Sequence, residues 1–221
     1  MNEIAISDIR KALSNGERVL MMTRHAERPH IDPEDPTFGE NLPITAAGEK
    51  MAFDFGVSLR GASDDVQFMS SPLHRTRLTA VQIARGMGLE GRWNYDTIPT
   101  DDIIGNGSYY YADARAVWQI FRGGEFYRLS FEYCRNGVQT GFRPLDVATD
   151  MLEEHVMANF TAQLGIFTSH DLFIASFLSG RNAYSGWTEQ TWVQFLDSAA
   201  IIISPDGSRS YALVRRERQG R

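Results

Sequence analysis

Short apolar stretches of strand length recur along the chain, and amphipathic helical patterns separate them. The predicted strands cover residues 19–23, 66–69, 93–98 and 164–168. Most read as nearly continuous apolar runs bounded by polar or turn residues, which is typical of strands buried on both faces of a sheet. Two further strands are predicted at 199–204 and 210–215, where the intervening Pro205-Asp206-Gly207-Ser208 indicates a hairpin turn.

The segments between these strands carry helix signals. Ser7 is a predicted N-cap for a short helix that ends at Asn15-Gly16, and Thr45 is a predicted N-cap for a helix closed by Gly61. Ser71 is a third predicted N-cap, with Pro72 in the first helical position. Apolar stripes predict two more helices, and these cover residues 144–163 and 172–178.

Strands that alternate with helices predict parallel βαβ units. We therefore predict an α/β fold, namely a three-layer doubly wound, mostly parallel sheet with helices on both faces. Residues 105–140 interrupt the alternation and are rich in glycine and aromatic residues. We interpret them as a small helical cap insertion of two helices with an aromatic core, within a single domain that covers residues 1–221.

Composition excludes several classes of function. The net charge of −6 disfavours a nucleic-acid or anionic-membrane partner, and the longest apolar run, at 199–203, is far too short to span a bilayer. The first residues lack the basic region and apolar core of a signal peptide, so we expect a cytoplasmic protein. Cys134 is the only cysteine, which excludes an internal disulfide and a thiolate metal cluster.

Polar side chains follow three of the predicted strands at their carboxyl ends. They are Arg24, His25 and Arg28 after the first strand, Ser70, Ser71 and Arg75 after the second, and His170 and Asp171 after the fourth. The carboxyl ends of parallel strands share one edge of a sheet, and the helix that starts at Pro72 adds partial positive charge there. Histidines and arginines that converge on one point define a site for a dianion. We interpret the dianion that is transformed there as a phosphoryl group.

The same stretches of sequence offer two other candidate sites, a serine hydrolase triad and a metal site, and the residues support neither. Ser169-His170-Asp171 cannot form a hydrolase triad, because consecutive strand residues point to opposite faces, and the chain has no G-x-S-x-G elbow. A metal site from His25, His30, Asp32 and Asp35 has no recognised ligand spacing, so no metal is predicted. His155 is interpreted as a packed or rim histidine.

Four motifs together resemble the histidine phosphatase superfamily, also called phosphoglycerate mutase-like. In chain order they are Arg24-His25-Ala26-Glu27-Arg28, Leu42-Pro43-Ile44-Thr45-Ala46-Ala47-Gly48, Ser70-Ser71-Pro72-Leu73-His74-Arg75-Thr76-Arg77-Leu78-Thr79-Ala80, and Ser169-His170-Asp171. They follow the family's order between about residues 18 and 180. Ala26 departs from the family pattern, which usually has glycine at that position.

The resemblance implies a reaction through a phosphohistidine. His25 would be the nucleophile, and Arg24, Arg75 and His170 would hold the phosphoryl oxygens, with Arg28 as an additional ligand. Water would then attack the phosphohistidine. The resemblance implies neither a metal nor another cofactor.

The general acid that protonates the leaving alkoxide has two candidates. One branch of the family places it shortly after the third strand, which corresponds to Asp101, with Asp102 beside it. The other branch uses the aspartate after the second histidine, which corresponds to Asp171. We favour Asp171.

The predicted function is therefore a phosphomonoester phosphatase acting on a small phosphorylated metabolite or sugar. The alternatives are a phosphoglycerate-mutase-type phosphotransferase and a non-catalytic protein that binds phosphorylated ligands on the same fold. The sequence indicates no oligomeric state.

Overall fold

The fold was analysed in a computed structural model that describes residues 2–32, 35, 37, 39–117 and 124–216. The strands are β1 (Glu3–Ile4), β2 (Arg18–Arg24), β3 (Val66–Ser70), β4 (Leu164–Ser169), β5 (Ser198–Ile203) and β6 (Arg209–Val214). The helices are α1 (Ile6–Ser14), α2 (Ala46–Leu59), α3 (His74–Met87), α4 (Ile103–Asn106), α5 (Phe126–Asn136), α6 (Leu145–Asn159) and α7 (Asp171–Gly180). Residues 114–117 are also helical.

The strands form one sheet in the order β1-β6-β5-β2-β4-β3. β2, β4 and β3 run parallel, with Val19 and Val66 both opposite Leu164. β5 runs antiparallel to β6, as the hairpin turn predicted, and also antiparallel to β2. The predicted fold class is confirmed, although the antiparallel β5 makes the sheet less uniformly parallel than expected.

Helices cover both faces of the sheet, which gives the predicted three layers. Alternate residues of β2 belong to two separate cores: Val19 and Met21 pack with α1, α2 and α3, whereas Leu20 and Met22 pack with α5, α6 and α7. Because successive side chains of a strand point to opposite faces, one apolar run supplies both cores. The continuous apolar runs of the sequence are explained by this burial on both sides.

One predicted strand, at residues 93–98, is wrong. These residues form turns, because the Asn94 side chain accepts hydrogen bonds from the backbone N–H groups of Asp96 (3.0 Å) and Thr97 (3.3 Å). A local side-chain bond of this kind competes with strand pairing. Only Thr100 reaches the sheet in this region, through an isolated bridge to Ser70.

Two of the three predicted helix starts are also wrong. α1 begins one residue before Ser7, because Asp8 accepts the backbone N–H of Ala5 and makes Ala5 the N-cap. α3 begins at His74 rather than Pro72, since the backbone N–H of Ser71 bonds Thr168 and continues the β3 ladder. The third prediction is confirmed: the Thr45 hydroxyl accepts the Gly48 N–H at 3.0 Å.

The predicted cap region contains the end of α4, the helical residues 114–117 and all of α5, while residues 118–123 lie outside the described residues. Its aromatic side chains Tyr109, Tyr110 and Tyr133 are buried in the same core as α6 and α7. The division into one domain with a cap insertion stays a prediction. Across the described ranges, no helix has the length and apolar character needed to cross a membrane.

Candidate active site

The carboxyl ends of β2, β4 and β3 lie side by side and bring the two predicted histidines together. Arg24 is opposite Ser169 in the β2–β4 register, so the residues that follow, His25 and His170, leave adjacent strands at the same edge. Their ring centroids are 5.5 Å apart, with the planes inclined at 65°. Three arginines lie around them, as described below, and we call these five residues (Arg24, His25, Arg28, Arg75 and His170) the cradle.

His25 is held in a single neutral tautomer. Its Nδ1 lies 2.8 Å from the carbonyl oxygen of Ala26, which can only accept, so Nδ1 carries the proton and Nε2 carries the lone pair. Burial, together with the nearby His170, Arg24 and Arg75, lowers the pKa of His25 well below its usual value of 6.5. The imidazole therefore remains unprotonated at neutral pH, with a lone pair on Nε2.

His170 is oriented by a chain of hydroxyl groups. Its Nε2 lies 3.1 Å from the Ser71 hydroxyl, which in turn lies 2.7 Å from the Thr76 hydroxyl. Thr76 has one proton and directs it to a backbone carbonyl, so Ser71 donates to Thr76 and accepts from His170. Burial and the charge of Arg75 lower the pKa of His170 to about 3, which keeps this ring neutral as well.

The three arginines of the cradle each carry a buried donor without a protein partner. In the part of the chain that the structure describes, the Nε–H groups of Arg24, Arg28 and Arg75 make no hydrogen bond. Arg75 is only 7% exposed, and burial lowers its pKa to about 10 while it stays protonated at neutral pH. An unpaired buried donor costs about 1–3 kcal/mol, so three of them on residues that line one cavity favour an anion there.

Asp171 lines the same cavity but is bound as a carboxylate. Its Oδ2 lies 3.0 Å from Nη2 of Arg24 and accepts a hydrogen bond from Nε1 of Trp192 at 3.1 Å, while Oδ1 accepts the Leu172 N–H. Burial by itself raises the pKa of Asp171, but Arg24 and these hydrogen bonds outweigh it, and the pKa is lowered. In this arrangement Asp171 is ionised at neutral pH.

The second acid candidate, Asp101, is paired with His155. Asp101 is outside the cavity lining, and its carboxylate is bound by Nε2 of His155 at 2.5 Å and by the Ile103 N–H at 2.8 Å. Asp102 is exposed and is also absent from the lining. The sequence interpretation treated His155 as a packed or rim residue and missed its pairing with Asp101.

The cradle opens into a cavity of about 720 Å³, within the range of small-molecule sites. Apart from the cradle and Asp171, its described lining is mainly apolar or aromatic and includes Ile31, Leu73, Tyr110, Tyr111, Val117, Phe126, Tyr127, Leu172 and Phe173. We call these nine residues the apolar wall. Glu40, Thr37 and His30 are polar residues of the same lining.

Two glycines allow the close backbone approaches that shape the site. A side chain at Gly48 would collide with the carbonyl oxygen of Glu27, so α2 packs directly against the segment that follows His25. Gly107 has a φ of +72°, and a side chain there would collide with the ring of Tyr111. The first glycine fixes the base of the cradle, and the second seats an aromatic ring in the apolar wall.

Several contributors to the site were missed by the sequence interpretation. Phe195 lies 5.7 Å from the His25 ring and 4.5 Å below the guanidinium carbon of Arg24, and Trp192 donates to Asp171. Both belong to an irregular segment before β5 that carries no periodic pattern. Their aromatic character was a possible signal, but nothing local tied them to this edge of the sheet.

No set of three or more His, Cys, Asp or Glu side chains within the described ranges could hold a metal ion. The four residues weighed as a metal site in the sequence are therefore not assembled into one. His25 instead makes the contacts with Ala26 and His170 described above.

Comparisons with known proteins agree with this geometry. Residues 20–96 match the family model of the histidine phosphatase superfamily (branch 1). No curated protein matches the sequence significantly. Similar solved structures include a phosphoserine phosphatase from Entamoeba histolytica, crystallised with 3-phosphoglyceric acid, at 15% identity and a TM-score of 0.56, covering 90% of this chain and 98% of that one.

Two other similar structures extend the comparison. A mycobacterial glucosyl-3-phosphoglycerate phosphatase is 15% identical with a TM-score of 0.52, covering 89% of this chain and 97% of that one. A phosphoglycerate mutase from Bacillus anthracis is 12% identical with a TM-score of 0.52, covering 88% and 91%. At such identities the likeness concerns the fold. The sequence match and the shared fold together confirm the resemblance of this chain to the histidine phosphatase superfamily and support the prediction of a phosphatase enzyme.

Proposed function

We propose that this protein is a phosphomonoester phosphatase that works through a phosphohistidine on His25. The observation that carries the proposal is the neutral His25, whose free Nε2 belongs to a cradle with three unpaired arginine Nε–H groups. A nucleophile with a lone pair and a set of donors for phosphoryl oxygens are the two parts that this chemistry needs. The substrate is a small phosphorylated metabolite that fits the 720 Å³ cavity.

The first step transfers the phosphoryl group to the protein. Nε2 of His25 attacks phosphorus while the bond from phosphorus to the ester oxygen breaks. Arg24, Arg28 and Arg75 stabilise the charge on the three other oxygens, and the Nε2–H of His170 turns from Ser71 to one of them. In the second step water attacks phosphorus, the N–P bond breaks, and inorganic phosphate leaves with His25 restored.

We propose Asp171 as the group that donates a proton to the leaving oxygen and later takes one from water. It lines the cavity beside Arg24, whereas Asp101 is outside the lining and is bound to His155. Asp171 is ionised without substrate, so it needs a higher pKa during the reaction. A bound phosphoryl dianion supplies this, because it competes for Arg24 and repels the second negative charge.

The proposal also covers the partners of the protein and its location in the cell. The substrate is a small molecule, with neither nucleic acid nor a membrane as partner, because the chain has a net charge of −6, whereas such partners call for an excess of basic residues. We place the protein in the cytoplasm, where its single buried thiol, Cys134, stays reduced.

The proposal is tested by trapping the intermediate. The protein is mixed with 4-nitrophenyl phosphate, quenched in neutral denaturant and digested, and we expect one phosphoryl group on the peptide that contains His25. His25→Ala should lose the adduct and at least about a thousandfold in kcat, as removal of a nucleophile does elsewhere. His74→Asn is the matched control, because His74 bonds Tyr95 outside the cavity.

Three results would contradict the proposal: no phosphate release by the parent protein, release that survives His25→Ala, or a phosphoryl group on another residue. Transfer of the group to an added alcohol in preference to water would instead indicate the phosphotransferase alternative.

A further inference from the structure

The lining of the cavity indicates which kind of alcohol the phosphate ester contains. The phosphohistidine chemistry alone does not determine this. We propose that the preferred substrate is a phosphate ester of an apolar or aromatic alcohol without a carboxylate. This inference rests on the proposed function and concerns the part of the same cavity that lies beyond the cradle.

The apolar wall presents mainly rings and aliphatic side chains, and its most deeply buried hydroxyl is already bonded. The hydroxyl of the fully buried Tyr110 donates to the carbonyl oxygen of Phe173 at 3.1 Å, so it is not available to a ligand. The Tyr111 ring lies on Gly107, and burial raises the pKa of its hydroxyl to about 12. A polyol such as a sugar would lose water against these surfaces without regaining its hydrogen bonds.

The charges of the lining disfavour a carboxylated alcohol. Among the lining residues that the structure describes, the only lysine or arginine side chains are the three arginines of the cradle. Arg24 is already paired with Asp171, and Nη1 of Arg75 donates to the carbonyl oxygen of Gly39 at 2.7 Å. Glu40 adds a further negative charge to the lining. A second anionic group of the substrate would therefore meet either an apolar surface or a like charge.

The apolar wall also begins next to the proposed general acid. Phe126 and Tyr127, at the start of α5, pack edge-on against Trp192 with centroid distances of 6.3 and 6.1 Å. Trp192 is buried and donates to Asp171. A leaving oxygen near Asp171 would therefore direct the rest of its alcohol along α5, where Tyr127 is 46% exposed and able to cover it.

The test compares esters whose leaving groups have similar acidity, so that only recognition differs. The three substrates are 2-phenylethyl phosphate, glycerol 3-phosphate and 3-phosphonooxypropanoate, which carry a phenyl ring, two hydroxyls and a carboxylate respectively. We expect kcat/KM for 2-phenylethyl phosphate to exceed the other two by about ten- to a hundredfold, the effect of burying one aromatic side group.

A substitution in the apolar wall tests whether this wall causes the preference for 2-phenylethyl phosphate. Tyr127→Ser should lower the ratio of kcat/KM for 2-phenylethyl phosphate to that for ethyl phosphate about three- to tenfold, because part of the contact surface is removed. Tyr127 is half exposed, so the variant should fold. The matched control is Val147→Ser on α6, which is 45% exposed, lies outside the cavity lining and should leave the ratio unchanged.

The outcomes distinguish a failure of this inference from a failure of the proposed function. Absence of any turnover that depends on His25 would overturn the proposed function itself. Turnover that depends on His25 but favours the carboxylated ester or the polyol ester would overturn the inference alone. A preference for 2-phenylethyl phosphate that Tyr127→Ser leaves intact would also overturn it, because the apolar wall would not be the source.

Discussion

The cradle and the apolar wall border the same cavity but are built in opposite ways. The cradle is fixed at the ends of three parallel strands, where the buried His25 and the half-buried His170 are each held by a hydrogen bond. The apolar wall comes largely from loops and the first turns of helices, among them residues 114–117, α5 and α7. Its rings are held by packing, as in the pair Tyr110–Phe173 with centroids 5.4 Å apart.

This difference indicates which region positions the charged groups and which region supplies an apolar surface. Charged and nucleophilic groups need positions fixed to within a fraction of an ångström, and a β-ladder supplies that rigidity. An apolar surface needs only shape and exclusion of water, which loosely connected helices supply. We therefore expect changes in the cradle to affect every substrate and changes in the apolar wall to discriminate among substrates.

The largest expected effect tests Asp171, which lies where the two regions meet. Asp171→Asn should reduce kcat for 2-phenylethyl phosphate by about a hundredfold or more, because an alkoxide needs a proton to leave. The loss should be below about tenfold for 4-nitrophenyl phosphate, whose leaving group is stable as an anion. Initial rates with both esters measure the effect.

Asp101→Asn is the matched comparison for this prediction. It should alter both substrates alike, through the position of α4 and its contact with His155. If instead Asp101→Asn showed the steeper dependence on the leaving group, Asp101 would be the acid.

Arg75→Lys should have the next largest effect, about ten- to a hundredfold in kcat/KM. Lysine keeps the charge but loses the planar fork and the buried Nε–H that has no protein partner. Because the group acts on phosphoryl oxygens, the factor should be the same for 2-phenylethyl and ethyl phosphates. A factor that varied strongly between these esters would break the distinction between the cradle and the apolar wall.

The smallest expected effect is on stability against pH. The pKa values of His25 and His170 lie below 6.5 in the folded protein and near 6.5 in the unfolded chain. Below pH 6.5 the unfolded chain therefore binds protons that the folded protein does not, so the free energy of unfolding falls as the pH falls. The slope approaches about 1.4 kcal/mol per pH unit for each histidine.

Urea unfolding between pH 6.5 and 5 measures this slope before most carboxylates titrate. His170→Asn should remove about half of it, since asparagine does not titrate. Tyr127→Phe, a change in the apolar wall, should leave it unchanged. An identical slope in the parent and His170→Asn proteins would show that His170 is not the source.

The sequence predicted the cradle better than the apolar wall. Arg24, His25 and His170 stand directly at the ends of buried strands, so a correct strand assignment places them at one edge without any further information. Residues 93–98 were assigned wrongly because Asn94 closes a local turn, which an alternating apolar pattern does not reveal. Ser71 was assigned as a helix cap, yet its hydroxyl orients His170 across 99 residues of sequence.

The sequence by itself determined the layers of the fold and which polar side chains follow its strands, because strand periodicity and strand ends are local properties. Only the tertiary structure decided the partners of Asp101 and Asp171, because His155 and Trp192 are distant from them in the chain. It also decided that Phe195 covers His25. Burial and hydrogen bonding between distant segments set pKa values and tautomers, and no local pattern encodes them.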